Sequence, residues 1–370
     1  MRLAMIVTGG LHPGGREQVV PSLLALFERL GRKHDIHAFA VRHLPQRQTY
    51  QLRGITVHDL GRPSAPLGLT RWSQERALGR AIAAAGPFDL VHGFWGDPAG
   101  LLAARMGRQF QMPSVVTCDS GEFVNMPEIA YGSQRTARGR AAVRDACRFS
   151  DRVHVCTEFM RTLASQQGVD ATVIPLGVVA VAGDVPRPSR SGGLQLLQVA
   201  SLSQVKNQAV LIEALALLAR DIDVRLDLVG EDTLGGRLQT CARDSGVADR
   251  VTFHGFVAND QLGRLFASAD LYVQSSRHEA AGVSVLEAAA AGLPVVGTRV
   301  GYLADWAPGR AEAVATATPP ALAGAIRRMQ ADREHAQAMA TAARTWARAH
   351  DADWTAAQFD QLYRELTSRR

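Results

Sequence analysis

The amino-acid sequence predicts an α/β protein made of two doubly wound parallel-sheet domains. Three observations carry this expectation. Short, continuously apolar runs alternate with amphipathic stretches from end to end, the pattern of parallel strands covered by helices on both faces. The alternation occurs twice, on either side of residues 181–193, VAGDVPRPSRSGG, which are rich in Pro, Ser and Gly and have no apolar period. A length of 370 residues is long for one domain and comfortable for two. The expected organisation is a first domain over residues 1–180, a linker at 181–193, a second domain over 194–349 and a terminal segment at 350–370.

Each element follows from its local pattern. In the first half, strands are expected at LAMIVT (3–8), IHAFAV (36–41), ITVHD (55–59), FDLVHG (88–93), SVVTC (114–118), VHVCT (153–157) and TVI (172–174). Amphipathic helices are expected at 17–31, 73–85 and 137–149. In the second half the strands are QLLQVA (195–200), VRLDLVG (224–230), VTFH (251–254), LYVQ (271–274) and VVGT (295–298). Helices are expected between them at 207–219, 234–245, 259–267 and 283–291. After Pro319 an Ala- and Arg-rich stretch reads as helical to about residue 349, and 353–366 forms one more helix. Two such domains put the carboxyl ends of both sheets at a shared cleft, where ligands meet helix N-termini.

Composition narrows the function classes. Hydrophobic residues make up 46% and charged residues 21%, which excludes a disordered or collagen-like chain. No apolar run approaches the roughly 18–20 residues that span a bilayer. The apolar run at 3–7 is too short for a signal-peptide core, and Cys118, Cys147, Cys156 and Cys241 form no CxxC pair, so a cytoplasmic setting is expected. The charge is uneven: residues 1–180 carry +7 (21 Lys and Arg against 14 Asp and Glu), and residues 181–370 carry −1 (20 against 21). Six basic residues fall in 29–53 (Arg29, Arg32, Lys33, Arg42, Arg47, Arg53) against one acid, Asp35, just after Leu23, Leu24, Leu26, Phe27 and Leu30. Two readings stay open here, a peripheral membrane contact through the first domain and a solvated basic face. Nucleic acid is not an expected partner.

The most informative stretch is EAAGVSVLEAAAAGLPVV at 279–296. Glu279 follows a strand and a polar loop, Ala280–Ala281–Gly282 opens a helix at Val283, and Glu287 lies in that helix's second turn. Small residues let backbone N–H groups approach a ligand, and the helix start favours an anion. A carboxylate on each side suits a diphosphate flanked by hydroxyl-bearing rings. A surface Glu and a helix-face Glu placed by chance is the alternative. Lys206, one of only two lysines, follows the strand at 195–200 and fits a phosphate contact.

These two glutamates, followed by A-x-G-x-P-V-V, resemble the signature of glycosyltransferase family four, retaining enzymes of the GT-B fold. Other segments resemble the family in order: TGGLHPGGREQVV after the first strand, FDLVHG, VASLSQVKNQ around Lys206, HGFV at 254–257, and WTAAQFDQLYREL near the C-terminus. The resemblance implies two Rossmann-like domains facing each other across a cleft, with residues 350–370 as a helix crossing back to the first domain. It implies transfer of a sugar, with retention, from a UDP- or GDP-sugar donor to a hydroxyl acceptor (a glycan, a lipid-linked molecule or a small molecule), without a metal or other cofactor. Lys206, Glu279 and Asp119 are then the catalytic candidates. Gly14, Gly15, Arg16, Ser201, Val257, Ala281, Gly282, Val283 and Glu287 are the donor-binding candidates, with Glu287 on the ribose and Glu279 on the sugar. His92, Trp95, Asp97 and Glu122 are the acceptor-side candidates.

Two positions depart from the family pattern. Ser201 stands where the family has Arg, so Arg16 or Arg277 is a candidate to supply the missing charge; Asp119 stands where many members have His. Asp119 also has a bland reading as a helix N-cap, and His92 one as a packed strand-end histidine. Asp221-x-Asp223 sits at the wrong sheet edge for a metal site, and His34, His37 and His43 show no carboxylate partner in sequence. The glycines at 9, 10, 14 and 15 do not spell G-x-G-x-x-G, which argues against a dinucleotide oxidoreductase. Besides the transferase, a nucleotide-sugar epimerase of the same fold and a catalytically inactive sugar-nucleotide-binding protein remain as alternatives.

Overall fold

The computed structural model describes residues 1–62, 70–179 and 193–368. The chain divides into two compact units, Met1–Gly177 with Ala352–Arg370, and Val178–Asp351. Apart from Gly193, the linker expected at 181–193 lies outside the described residues.

The first unit runs β1 (Arg2–Val7), α1 (Pro21–Gly31), β2 (Asp35–Ala40), β3 (Gln48–Leu52), β4 (Ile55–Asp59), α2 (Thr70–Ala85), β5 (Leu90–Phe94), α3 (Leu101–Gln109), β6 (Ser114–Thr117), α4 (Ala137–Phe149), β7 (Arg152–Val155), α5 (Glu158–Gln166) and β8 (Thr172–Val173). Its sheet has the order β3-β4-β2-β1-β5-β6-β7-β8, and every pair is parallel except β3 with β4. Leu3 is in register with Ile36 on one side and Leu90 on the other. The first helix starts four residues later than its apolar period suggests, because Pro21 sets the first turn, where its missing N–H is not needed. Strand β3, QTYQL, has no apolar run and pairs only at the exposed edge, so the sequence pattern misses it. Helix α3 is missed because it is only nine residues long and opens on the buried run Leu101–Ala104, with Arg105, Arg108 and Gln109 marking its polar side only in its second half.

The second unit runs β9 (Leu194–Val199), α6 (Gln208–Leu218), β10 (Val224–Val229), α7 (Arg237–Asp244), β11 (Val251–Gly255), α8 (Leu262–Ser268), β12 (Leu271–Gln274), α9 (Val283–Ala290), β13 (Val295–Thr298), α10 (Tyr302–Trp306), β14 (Glu312–Val314), α11 (Pro319–Ala331) and α12 (Arg333–Ala349). All its strands are parallel, in the order β11-β10-β9-β12-β13-β14. This is the doubly wound dinucleotide-fold order, with the strand order reversing between β9 and β12. Leu196 and Leu226 on the sheet pack with Leu211, Leu215 and Leu218 of α6 and Leu322 and Ile326 of α11.

The last helix, α13 (Ala352–Ser368), belongs to the first unit, where Phe359, Leu362, Tyr363 and Leu366 join the core formed by Leu3, Met5 and the buried face of α1. Asp353 pairs with Arg29 and Arg32 of that region, and Asp360 with His34 and Lys33. His34 therefore does have a carboxylate partner, brought from 326 residues away in sequence. A fully buried polar chain ties α13 to the sheet: His92 Nδ1 lies 2.6 Å from the Tyr363 hydroxyl, His92 Nε2 2.7 Å from Thr117 Oγ1, Thr117 Oγ1 2.9 Å from His154 Nδ1, and His154 Nε2 2.9 Å from the Ile174 carbonyl. The Ile174 carbonyl can only accept, so His154 donates from Nε2 and accepts at Nδ1. Thr117 then donates to His154 and accepts from His92 Nε2, and Tyr363 donates to His92 Nδ1. Every link is satisfied with both imidazoles neutral. Among the described residues no helix is long and apolar enough to cross a membrane.

Burial holds His154 down to about 4 and His92 well below its usual range. In the unfolded chain both titrate near the ordinary value of about 6.5. The unfolded state therefore binds more protons as pH falls below about 6.5, so this contribution to stability is complete above that pH and shrinks progressively toward pH 4 and below. The difference in urea unfolding midpoint between the unaltered chain and His154→Gln, a comparison in which the raised carboxyls of Asp119 and Glu287 cancel, is expected to be flat from about pH 8 to 7 and to shrink below about pH 6.5. Tyr363→Phe, which leaves His92 Nδ1 without its donor, should cost about 1–3 kcal/mol at neutral pH.

Candidate functional site

In the second unit the candidate residues collect where the strand order reverses. Lys206 lies in the turn after β9, which ends at Asn207 (φ 55°) and launches α6; Glu279 lies in the loop after β12. Lys206 Nζ is 2.6 Å from Glu279 Oε1, and the Ser276 hydroxyl donates to the same oxygen at 2.6 Å. The two loops are laced together: Ser275 Oγ donates to the Lys206 carbonyl at 2.9 Å, Arg277 N donates to the Val205 carbonyl at 2.8 Å, and Gln198 reaches Ser275. The side chains of Lys206 and Glu279 retain 24% and 12% exposure, so the pair is mostly sheltered yet open at one end.

Ala280 and Ala281 are buried, and Gly282 (φ 86°) turns the chain into α9. The left-handed φ of Gly282 favours glycine, and a Cβ there would lie 2.7 Å from Gln274 Oε1 and displace that side chain. Gly301 is tighter still, with its Cβ position 2.4 Å from the Ala281 carbonyl. Glu287, one turn into α9, is only 7% exposed, and burial pushes its carboxyl up to about 7, against a hydrogen bond with Asn259. Tyr272 stands near both glutamates: its hydroxyl is 2.6 Å from Ser284 Oγ, and burial, with the charges of Glu279 and Glu287, drives its pKa up. Lys206, Glu279 and the Ala281–Gly282–Val283 turn thus form one neighbourhood. Ser201 is exposed on the loop after β9, with its carbonyl held by Gln208; Val257 is half-buried beside Phe256, which is 60% exposed. Sequence reasoning did not single out Ser276 or Asn259, which lock Glu279 and touch Glu287; a serine or asparagine in a loop carries no signal until the fold chooses its partner.

In the first unit the order reverses between β1 and β5. The loop after β1 is shaped by Gly10 (φ 83°), where a Cβ would meet Val20 at 2.7 Å, and by a Leu11–Val19 bridge. Gly14 N donates to His12 Nδ1 at 3.2 Å, Gly15 N to the His12 carbonyl at 2.9 Å, and Arg16 is exposed. Trp95 (φ 70°) follows β5 and packs its ring on the core, and Asp97 pairs with Arg71 at 2.7 Å. Glu122 is 3% exposed and staples two loops, its oxygens accepting from Gly96 N at 3.0 Å and Ser120 N at 2.8 Å, while burial raises its pKa. Asp119 differs from its neighbour: its Oδ1 is buried without a hydrogen-bond partner, and burial, then the Glu122 charge, pushes the carboxyl up to about 8. No helix starts in this segment, so the N-cap reading of Asp119 is set aside. His92 is corrected as an acceptor-side candidate, because it has no exposed surface and both ring nitrogens are occupied within the core.

Two further corrections concern charge. Leu23, Leu24, Leu26, Phe27 and Leu30 are all buried, so none flanks a basic face. Of the six basic residues in 29–53, Arg29, Arg32, Lys33 and Arg53 are matched to Asp353, Asp360 and Glu28. Asp221 and Asp223, at the amino end of β10, pair with Arg327 and Arg250.

Comparison with known proteins agrees with this architecture. The chain overlays a sucrose-phosphate synthase from Thermosynechococcus elongatus with a TM-score of 0.81 at 20% identity over 100% of both chains. It overlays the Anabaena protein HepE in complex with UDP and glucose with a TM-score of 0.76 at 20% identity, over 98% of this chain and 100% of that one. In sequence it is 34% identical over 151 residues to a Mycobacterium tuberculosis GDP-mannose-dependent alpha-(1-6)-phosphatidylinositol monomannoside mannosyltransferase, covering 38% of this chain and 39% of the relative. It is 30% identical over 241 residues to a D-inositol 3-phosphate glycosyltransferase from Arthrobacter, covering 59% and 56%. The matches span between 26% and 56% of the length of such curated relatives. The family model for glycosyl transferases group 1 matches residues 186–346, and that for the glycosyl transferase 4-like domain matches residues 14–177. With both halves matched in order and both sheets Rossmann-like, the chain belongs to the group 1 glycosyl transferases, glycosyltransferase family four, and has the GT-B fold.

Proposed function

We propose that this protein transfers a sugar, with retention of configuration, from a nucleoside-diphosphate sugar to a hydroxyl acceptor, using its own cations rather than a resident metal. The observation that carries this reading is the Lys206–Glu279 pair at 2.6 Å, set beside the glycine-led start of α9. An ammonium held next to a helix N-terminus is a receptor for a diphosphate, and the carboxylate beside it is an acceptor for sugar hydroxyls.

The chemistry follows from where charge develops. The bond between the anomeric carbon and the diphosphate oxygen breaks, and its electron pair stays on that oxygen. Lys206 and the backbone N–H groups at the start of α9 stabilise the growing negative charge, which is the largest catalytic contribution available to such a site. The acceptor hydroxyl attacks from the face the diphosphate leaves, and its proton passes to the departing oxygen. Glu279 orients the donor sugar, and Glu287 accepts from the ribose hydroxyls. Ser201 donates a hydrogen bond to the diphosphate without adding a charge. Asp119, protonated below about pH 8, donates to a sugar or acceptor oxygen that a carboxylate would repel. Trp95 and Asp97 serve the acceptor, with Glu122 positioning their loop through Gly96. Val257 contacts the base. The free cysteines support a reducing, cytoplasmic setting.

A panel of UDP- and GDP-sugars, read by release of nucleoside diphosphate with and without hydroxyl acceptors, tests the reading. Acceptor-dependent release supports it; an epimerised sugar nucleotide, or binding without turnover, overturns it. Lys206→Ala is expected to lower kcat by roughly 100-fold or more. Activity should persist in EDTA, and a full loss restored by Mg²⁺ would contradict the assignment of the positive charge to Lys206 and the backbone.

Glu287 generates a pH prediction. With its carboxyl near 7, the charged form that accepts two hydroxyls becomes populated as pH rises through neutrality. Donor KM should fall roughly tenfold between about pH 6 and pH 8, and Glu287→Gln should flatten that dependence. A wild-type KM independent of pH over this range would remove Glu287 from the ribose.

A further inference from the structure

The first unit contains a cavity of about 690 Å³ at the carboxyl ends of β2 and β4, closed on one side by the first turns of α2. Its walls carry Arg47, Arg62, Arg76 and Arg80, with Trp72 beside them, and among the described residues no acidic side chain lines it. The volume is in the range of small-ligand sites, about 300–1,000 Å³.

Four guanidinium groups around one hollow repel one another unless an anion joins them. The carboxylates nearby are engaged elsewhere. Asp59 is 2% exposed and accepts from Leu44 N and Gly61 N. Glu75, on α2 itself, binds Arg105, and Asp97 binds Arg71. This contrasts with the α1 and α13 side of the same unit, where Arg29, Arg32 and Lys33 are neutralised by Asp353 and Asp360. Arg47, Arg62, Arg76 and Arg80 meet at this hollow with no carboxylate lining it among the described residues.

The hollow also has built walls. Gln74 is 5% exposed and is held by donating to the Val41 carbonyl at 3.1 Å, and it accepts from Arg42 at 2.9 Å. Arg47 is anchored through Nε to the Leu60 carbonyl at 3.2 Å. The Arg76 guanidinium sits 4.5 Å over the Trp72 ring, and Trp72 is 57% exposed, one of the few large apolar side chains so open. Stacking fixes the guanidinium plane and leaves its N–H fork to a bidentate acceptor.

We propose that this arginine-lined cavity is a binding site for a phosphate-bearing ligand, whose phosphoryl group bridges Arg47, Arg62, Arg76 and Arg80 while an adjoining apolar part lies on Trp72. Arginine forks match phosphate oxygens in pairs, and several converging forks suit a group with more than one negative charge. The site lies on the β2 and β4 side of the sheet, outboard of the β1–β5 reversal, and it stands whether or not the transferase reading does. The phosphate belongs either to a soluble phosphorylated molecule or to a lipid headgroup.

Calorimetric titration with inorganic phosphate, and sedimentation with vesicles of phosphatidylcholine containing about one third phosphatidylglycerol or none, distinguish these sources. The full chain is compared with Arg76→Ala/Arg80→Ala, with Arg47→Ala/Arg62→Ala, with Lys206→Ala, which disables the proposed diphosphate contact of the second unit, and with Arg138→Ala, an exposed arginine outside the cavity. Phosphate affinity is expected to weaken tenfold or more in both double variants, to weaken by the same factor when either is combined with Lys206→Ala, and to stay unchanged in Arg138→Ala. Binding to the anionic vesicles alone, lost in the same double variants, supports the site with a lipid as the phosphate source. Phosphate or vesicle binding that is unchanged in either folded double variant, or no binding of either probe by the unaltered chain, overturns the proposal. The four arginines are exposed, so thermal melts of the variants should match that of the parent.

Discussion

A parallel sheet cannot turn back on itself through a tight loop, and this constraint organises the whole chain. Every parallel pair needs a crossover, so the loops leaving the carboxyl ends of the strands gather at one edge. Where consecutive crossovers run to opposite sides, two neighbouring strands send their loops apart and leave room between them. In the second unit that place lies between β9 and β12, and it brings Lys206 against Glu279 across 73 residues of sequence. The same reversal in the first unit sets the glycine loop after β1 next to Trp95 and Asp97 after β5.

The structure treats polar groups in two ways, and the contrast separates stability from chemistry. In the core of the first unit, Tyr363, His92, Thr117, His154 and Ile174 form a line in which each donor meets an acceptor. Such a chain is stable because nothing in it is charged or unpaired. At the strand ends the rule is relaxed. Asp119 has a buried oxygen with no partner, and Glu287 is held near neutrality of charge by the apolar helix around it. Groups poised in this way lose stability on their own and recover it when a ligand supplies the missing hydrogen bonds, which is why perturbed carboxyls cluster at binding sites.

Charge is redistributed by folding more than by sequence position. The run of basic residues from Arg29 to Arg53 is broken up when α13 packs on α1, because Asp353 and Asp360 pair with Arg29, Arg32 and Lys33. Positive charge reappears elsewhere, around the hollow at Arg47, Arg62, Arg76 and Arg80, where residues from two strand ends and one helix converge. An attraction between exposed ions is worth little in water, but several like charges held together without counter-charges form a field that a multivalent anion answers.

The fold class, both sets of central strands and the glycine-led turn at Gly282 are legible in the sequence because each depends on local signals, while Lys206 and Glu279 stand out by their places after strands and by the family resemblance, not as partners. Continuous apolar runs mark buried parallel strands, and a glycine before an apolar helix marks a tight turn. The exact spans of β12 and β13 emerge for this reason, since both are short, apolar and bounded by polar or small residues. The edge strand β3 and the short helix α3 escape, because β3 puts only Tyr50 and Leu52 on the core and α3 is too short for its polar side, Arg105, Arg108 and Gln109, to set a clear period. Partner choice is the part that only tertiary structure decides. Nothing near Ser276 shows that it binds Glu279, nothing near His92 shows that Tyr363 will close its ring nitrogen, and no spacing links Arg47 to Arg80. Secondary structure is set by interactions between neighbours a few residues apart, whereas a hydrogen bond or a charge cluster is set by which distant segments the packing of the core brings within about 3 Å of each other.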